Sequence, residues 1–410
     1  MTSHPNRTAR RVRTSLERTP TRTARGLLAA AGAAAAAVLL AACTSASGAA
    51  PGEPDASGSA AAVPAAVTAA VAAGYEGLST APPTSSPAVS PGHDLWVVSA
   101  FQQVSGLAKI ASEAQSAATA IGWRSTVCDG QNNPAQWSTC VRQATAAGAD
   151  AILLAGVDCA PVSEALAEAR RGGVKVTGVA SFDCDDPTQG GGASQFDAKL
   201  GYTEGVTGTG DFYEKAGRLR ADWVIAQTGG SAKVLHVAFK GVSIGEYLSK
   251  GFTEELAAQC PGCSVVDTVA ITPSEIGQLR QRFDSALLKN PQANVVVTDL
   301  DFMLSAGVQQ SLQQNPSSGR VVLGGECVQE TLDYIRAGGG AQACVGFSNG
   351  RAAWSAVDQL NRAFDGQPGV VDGVGSQIID AEQNLPAAGS AYEGALDYRA
   401  TYAQLWKAGA

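Results

Sequence analysis

From about residue 94 onward, short apolar runs alternate with longer segments in which apolar residues recur every three or four positions. The short runs predict strands and the longer segments predict amphipathic helices. The predicted strands are Leu95–Val98, Arg124–Cys128, Ala151–Ala155, Val174–Val179, Lys233–Ala238, Ser264–Ala270, Val295–Thr298 and Arg320–Gly324. Helices are predicted near 107–121, 135–147, 161–171, 211–228, 245–259, 275–289, 303–314 and 328–337. Such alternation is typical of βαβ units, so we expect an α/β fold with parallel sheets.

The first 42 residues have the pattern of an export signal. A leader with seven arginines and one acid precedes an apolar stretch, Leu27–Ala42, which is too short for a membrane-spanning helix but suits a signal peptide. The stretch ends in Leu40-Ala41-Ala42-Cys43, which resembles the bacterial lipobox, so we expect lipidation at Cys43. Arg10-Arg11 leaves the export route, general or twin-arginine, open.

Residues 43–93 consist almost entirely of Ala, Ser, Gly, Pro and Thr. This composition predicts a flexible tether, because it offers little apolar surface to offset the entropy of ordering. Within it, the alanines of Ala60–Ala73 favour a transient helix. The globular part would then span about 94–410, a length that usually divides into two domains.

Charge narrows the range of partners. The chain has 29 basic and 37 acidic residues; without the leader's seven and one, 22 and 36 remain, a net charge near −14. A surface this acidic repels phosphate backbones and anionic lipid, so we expect no nucleic-acid partner and attachment to the membrane through the Cys43 lipid alone.

Eight cysteines follow Cys43, an even number in an exported chain. They are predicted to form disulfides between near neighbours, although other connectivities and a redox or metal site at Cys260–Cys263 stay open. With three histidines in the chain, a Cys/His zinc site is disfavoured. The predicted pairs are Cys128–Cys140, Cys159–Cys184, Cys260–Cys263 and Cys327–Cys344.

Several segments resemble type I periplasmic binding proteins, the ribose-binding-like receptors of sugar ABC importers. Their order and spacing follow that family through nearly all of 94–410. The segments are Asp129–Pro134, Ala147–Leu154, Arg171–Val176, Leu323–Glu326 followed by Leu332–Ile335, and Phe347–Gly366. Two features depart from the family: the turn after the first strand reads Phe101–Gly106, and no Arg precedes Gly251-Phe252.

The resemblance implies two doubly wound, Rossmann-like lobes joined by a crossing hinge. The crossings are expected near Gly201–Tyr202, Val345–Ser348 and Gly373–Gln377. Lobe 1 would hold 94–200 and 348–373, and lobe 2 would hold 203–345 and 376–410. The ligand would lie in the cleft where the carboxyl ends of the strands meet. The resemblance also implies a monomer that hands its solute to a membrane permease, with no cofactor, metal or catalytic residue.

Candidate ligand contacts are the polar and aromatic residues that follow the predicted strands, begin the predicted helix near 245–259 or lie at the second crossing. Asp129 could instead cap the helix that follows it. The candidates are Phe101, Gln102, Asp129, Asp158, Phe182, Asp183, Tyr247, Asp299, Asp301, Glu326, Phe347 and Asn349.

These side chains predict a small polar ligand, with a sugar or polyol as the first expectation and a cationic solute as the second. A sensory receptor with the same fold remains an alternative, because the fold serves both roles. A cleft hydrolase is the less favoured alternative: two carboxylates could in principle hydrolyse a glycoside, but no nucleophile motif accompanies them.

Overall fold

The computed structural model describes residues 63–317 and 319–408. Two β-sheets form the centres of two lobes. The export signal, Cys43 and the first part of the predicted tether lie outside the described residues.

Lobe 1 is built on a parallel four-stranded sheet with the order β2-β1-β3-β4. Its strands are β1 (Asp94–Ser99), β2 (Arg124–Asp129), β3 (Ala151–Ala155) and β4 (Lys175–Val179). The central strand β3 is buried along its whole length, as an apolar run between two helical layers requires. The helices of lobe 1 are α2 (Ser105–Ala120), α3 (Pro134–Ala146), α4 (Ser163–Arg171), α10 (Asn349–Phe364) and α11 (Tyr398–Ala408).

Lobe 2 is built on a six-stranded sheet with the order β10-β9-β8-β7-β5-β6, in which β10 alone runs antiparallel to its neighbour. Its strands are β5 (Lys233–Phe239), β6 (Ser264–Ile271), β7 (Val295–Thr298), β8 (Val321–Leu323), β9 (Ala343–Gly346) and β10 (Gln377–Asp380). Its helices are α1 (Ala65–Glu76), α5 (Thr209–Gln227), α6 (Ser243–Gln259), α7 (Leu279–Lys289), α8 (Gln309–Gln314) and α9 (Gln329–Ala337). No helix among the described residues is both long and apolar enough to span a membrane.

The three predicted crossings lie side by side between the lobes. Tyr202, in the first, forms a parallel bridge with Val374 in the third. The second follows β9 through Phe347 and Ser348 into α10. The predicted fold, two parallel α/β lobes joined by a crossing hinge, is therefore confirmed.

The prediction of a flexible tether is wrong for residues 63–93. The alanine-rich part forms α1, which packs on α5 and β10 of lobe 2. Small residues permit this close approach: a Cβ on Gly74 would lie 2.6 Å from the Ile378 side chain. The hydroxyl of Tyr75 accepts a hydrogen bond from Trp223 Nε1 (3.0 Å) and donates one to Asp380. Tertiary packing thus stabilises a helix for which the alanine-rich composition predicts only a transient population.

Residues 77–93, which we call the strap, then run along the third crossing to lobe 1. The backbone N–H groups of Leu78 and Thr80 donate to the carbonyls of Ser376 (2.8 Å) and Gly373 (3.0 Å). Gly375 is essential to this approach, since a Cβ there would lie 2.3 Å from the Leu78 oxygen. Further along, the strap binds α10 through hydrogen bonds at Ser85, Ser86 and Pro87. The strap therefore adds a crossing to the predicted three.

The assignment of 376–410 to lobe 2 is wrong for its last part. After β10 the chain returns to lobe 1, where α11 packs on α10. Trp406 stacks on Trp354 with ring centroids 5.4 Å apart and donates to Asp358 (2.9 Å). Arg399 forms an ion pair with the buried Glu113 of α2. Apolar burial and charge pairing thus place the C-terminal helix on lobe 1.

Candidate ligand-binding cleft

A cavity of about 110 Å³ lies between the two lobes, at the carboxyl ends of their strands. Lobe 1 contributes mainly apolar side chains from the loop after β1 and from α2 and α3. They are Phe101, Val104, Leu107, Ile110 and Trp137.

Lobe 2 provides the facing wall, which is also apolar. Its residues end or follow β5, β6 and β7, as Phe101 of lobe 1 follows β1. They are Phe239, Val242, Ile244, Ile276, Leu300 and Phe302. Phe347, from the second crossing, joins the two walls.

Few polar side chains reach the cavity: Asp158 and Asn132 from lobe 1, Glu326 from lobe 2, and Asn349 at the start of α10. Glu326 Oε2 accepts a hydrogen bond from the backbone N–H of Asp301 (3.0 Å). Glu326 Oε1 accepts none from another described residue. We call Asp158 and Glu326 the cleft carboxyls.

Burial governs the protonation of both cleft carboxyls. It raises the pKa of Asp158 to about 6, although the backbone N–H of Ser243 partly offsets this by donating to the carboxylate. Burial, followed by the nearby charge of Asp301, raises the pKa of Glu326 to about 7. Both groups therefore bind a proton more tightly than an exposed carboxyl does.

Direct hydrogen bonds hold the lobes together beside the cavity. Asp158 Oδ2 accepts from the backbone N–H of Ser243 (3.2 Å), in the first turn of α6. A carboxylate at this position also interacts favourably with the helix dipole. Gln189 Nε2 donates to Asp158 (3.3 Å) and to the Ser243 hydroxyl (2.7 Å). Tyr247 donates to Asp186 (3.0 Å), which closes the same edge.

Five of the predicted contacts line the cavity: Phe101, Asp158, Glu326, Phe347 and Asn349. Phe182 and Tyr247 lie beside it, stacked on each other across the lobes with ring centroids 5.4 Å apart. Neither they nor Gln102 reach the cavity wall.

Four predicted carboxylates bind protein donors instead. Asp301 accepts from the backbone N–H groups of Gly325 (2.6 Å) and Val328 (2.8 Å). Asp299 pairs with His236 (2.8 Å) and accepts from Ser249 (2.7 Å).

Asp129 and Asp183 also bind donors of the protein itself. Asp129 accepts from the backbone N–H groups of Gln102 (3.1 Å) and Gln131 (3.0 Å), so it organises its own loop. Asp183 pairs with Lys199 (2.8 Å) and accepts from Gln195 (2.8 Å). All four carboxylates thus shape the loops around the cavity rather than line it.

The sequence reasoning missed the apolar wall of lobe 2. Phe239, Leu300 and Phe302 end or follow strands, which is the positional signal that selected Asp299 and Asp301. This position alone does not identify them as cleft residues, because an apolar residue next to a strand is also typical of the core.

The structure joins the cysteines in the four pairs that the sequence predicts, with Cα atoms 5.1–5.8 Å apart. Two bonds adjoin the cleft carboxyls: Cys159 follows Asp158 and is linked to Cys184 beyond β4, while Cys327 follows Glu326 and is linked to Cys344 in β9. Each bond ties a loop of the cleft to the end of a neighbouring strand. They therefore restrict the movement of the carboxyls.

Two α/β lobes with an enclosed cavity at their strand ends define a two-lobe binding protein. The sequence matches the model of the periplasmic binding protein domain over residues 97–368. The chain therefore belongs to this family. Its sequence matches none of the curated proteins.

Solved structures show the same fold. A solute-binding protein of an ABC transporter from Mycobacterium smegmatis, with bound glycerol, has 18% identity and a TM-score of 0.61, covering 74% of this chain and 100% of its own. The myo-inositol-binding protein of Caulobacter has 20% identity and a TM-score of 0.61, with coverage of 72% and 95%. A glucose-galactose-binding protein from Geobacillus stearothermophilus has 18% identity and a TM-score of 0.58, with coverage of 72% and 100%.

Proposed function

We propose that this protein is an exported, lipid-anchored solute-binding protein that delivers a small solute to an ABC importer. The observation that carries the proposal is the cavity enclosed by both lobes, to which Leu107 and Asp158 contribute from one side and Phe302 and Glu326 from the other. A solute in this position contacts both lobes only when they are closed. Its binding energy therefore favours the closed state.

Closure uses the hydrogen bonds around Ser243. Asp158 and Gln189 of lobe 1 both bind this residue of lobe 2, and Thr188 lies 2.6 Å from its hydroxyl. These bonds break when the lobes separate. They favour the closed form without contacting the cavity's apolar walls, so they assist solutes of any chemistry.

Membrane attachment follows from the sequence. Cys43 receives the lipid, and the permease receives the solute from the closed lobes. Supporting this role, neighbours of the same fold include solute-binding proteins of ABC transporters. In the native host, Cys43→Ala should release the protein from the membrane; an unmodified Cys43 in the mature wild-type protein would contradict the anchor.

Binding and closure can be tested together. We would titrate the purified protein with glycerol, myo-inositol, D-galactose and cyclohexanol by calorimetry, and measure the radius of gyration by X-ray scattering. One-to-one binding with a smaller radius supports the proposal; binding without any change in radius contradicts closure. Gln189→Ala should weaken binding by lowering the closed population, whereas Gln367→Ala, an exposed change within lobe 1, should not.

Deletion of the gene distinguishes transport from the alternatives. If the bound solute is no longer taken up by the deletion strain, the importer role is supported. Normal uptake with a lost transcriptional response would instead indicate a sensor, and chemical change of the solute by the purified protein would indicate an enzyme.

A further inference from the structure

Given the proposed function, the chemistry of the cleft walls limits which solutes can bind. The facing side chains include Leu107 and Phe101 from lobe 1 and Ile276, Leu300 and Phe302 from lobe 2. A hydroxyl transferred from water to such a wall without a hydrogen-bond partner loses roughly 1–3 kcal/mol. A solute with hydroxyl groups all around its ring would therefore lose free energy on most of its surface.

The carboxylates that could compensate are already engaged. Asp301 binds two backbone N–H groups, and Asp299 binds His236, Ser249 and the backbone N–H of Phe239. Breaking these bonds for a ligand would leave buried donors unpaired, at a further loss of free energy. The acids beside the cleft are therefore not a ready set of sugar acceptors.

One polar point remains open inside the cavity. A Cβ built on Gly106 would lie 3.4 Å from Asn349 Nδ2 and 3.6 Å from Glu326 Oε1, so both groups face the same point of the first turn of α2. Neither the Asn349 amide nor Glu326 Oε1 has a hydrogen-bond partner on another described residue. Together they present one acceptor and one amide donor to a single group of the solute.

The size of the cavity limits the solute to a compact body. The cavity measures about 110 Å³, less than the roughly 150 Å³ of an apolar cavity that holds benzene, so it excludes anything larger than a single small ring. We propose that the solute has an apolar ring body and a single hydroxyl or amine head, which donates to Glu326. A hydroxyl head also accepts from Asn349 Nδ2, whereas a charged amine, which has no acceptor, binds Glu326 alone. The ring contacts the apolar walls of both lobes, so its burial drives their closure.

Cyclohexanol and myo-inositol test this directly, because both have a six-carbon ring but they carry one and six hydroxyl groups. Calorimetry should show binding of cyclohexanol and of cyclohexylamine, with affinity for myo-inositol at least tenfold weaker. Equal or tighter binding of myo-inositol would overturn the ligand class while leaving the proposed function intact. If none of these probes binds, the proposed ligand class is also wrong. Solute uptake by the deletion strain then tests the proposed function independently.

Two variants test the orientation of the head group. Glu326→Gln keeps the shape of the side chain but removes its negative charge, so cyclohexylamine should bind at least tenfold more weakly. Glu168→Gln makes the same chemical change in an exposed carboxylate of α4, which pairs with Arg142 (3.0 Å) outside the cavity, and should change this affinity less than threefold. An unchanged affinity in Glu326→Gln, with an unchanged melting temperature, would overturn the proposed contact.

Discussion

Removal of the Cys159–Cys184 bond tests how much the disulfides contribute to the free energy of unfolding. The two residues are 25 positions apart, and the bond closes this loop in the unfolded chain as well as in the folded one. The chain-entropy relation gives about 3.5 kcal/mol of stabilisation for such a loop at 25 °C. The double variant Cys159→Ala/Cys184→Ala should therefore lose about this free energy of unfolding.

The Cys260–Cys263 bond supplies the control. Its separation of 3 gives about 1.6 kcal/mol by the same relation, so the two double variants should differ by about 2 kcal/mol. Urea unfolding followed by tryptophan fluorescence measures both, after non-reducing peptide mapping has established the pairs in the wild type. Equal losses would refute the dependence on loop length. Absence of any loss in Cys159→Ala/Cys184→Ala would refute the stabilising role of the bond.

Three further results are expected. Trp406→Ala should lower the free energy of unfolding by about 3–5 kcal/mol, because the ring is buried on α10. Lys407→Ala, at the exposed neighbouring position, should change it by less than about 0.5 kcal/mol. Equal losses for the two variants in urea unfolding would contradict this packing. The melting temperature should rise as the pH falls from 7 to 5. Burial raises the pKa values of Asp158, Glu326, Asp222 and Asp372 to about 6 or 7 in the folded protein, above the ordinary 3.8 and 4.5, so the folded protein takes up protons that the unfolded chain does not. A constant or falling melting temperature would contradict this. Gly375→Ala should displace the strap and speed its proteolysis, whereas Gly277→Ala, where a Cβ meets nothing within 4 Å, should not.

The regular part of the fold could be predicted because local sequence and tertiary environment agree there. The apolar run Ala151–Ala155 is β3, and Val295–Thr298 is β7, with the bounds that the sequence predicts. The N-terminal helix α1 could be predicted only as a transient helix, because its stability depends on the surfaces of α5 and β10. The strap was missed for a similar reason: its hydrogen bonds require a neighbouring segment that has no side chains at Gly373 and Gly375.

The ligand-binding site itself stays a prediction, but its expected position can be compared with the cavity. The cavity lies at strand ends, where the sequence predicts the site, and Phe101, Glu326 and Asn349 line it. Sequence could not show that Asp301, which follows β7, would turn towards the backbone amides of Gly325 and Val328 in the loop after β8. Whether a carboxylate at a strand end faces a ligand or the protein is decided by loop geometry, which a single sequence does not determine.

The return of α11 to lobe 1 has a consequence for biosynthesis. Arg399 and Glu113 are 286 residues apart in the chain, yet their ion pair joins α11 to α2 within one lobe. Lobe 1 therefore cannot be completed until almost the whole chain has been made. Contacts of such long sequence separation slow folding, and a chain that folds late remains threadable for longer. If export follows the general route, in which the chain crosses the membrane unfolded, the placement of the last helix helps to keep the precursor in a form that the translocation channel accepts. The twin-arginine route carries no such requirement.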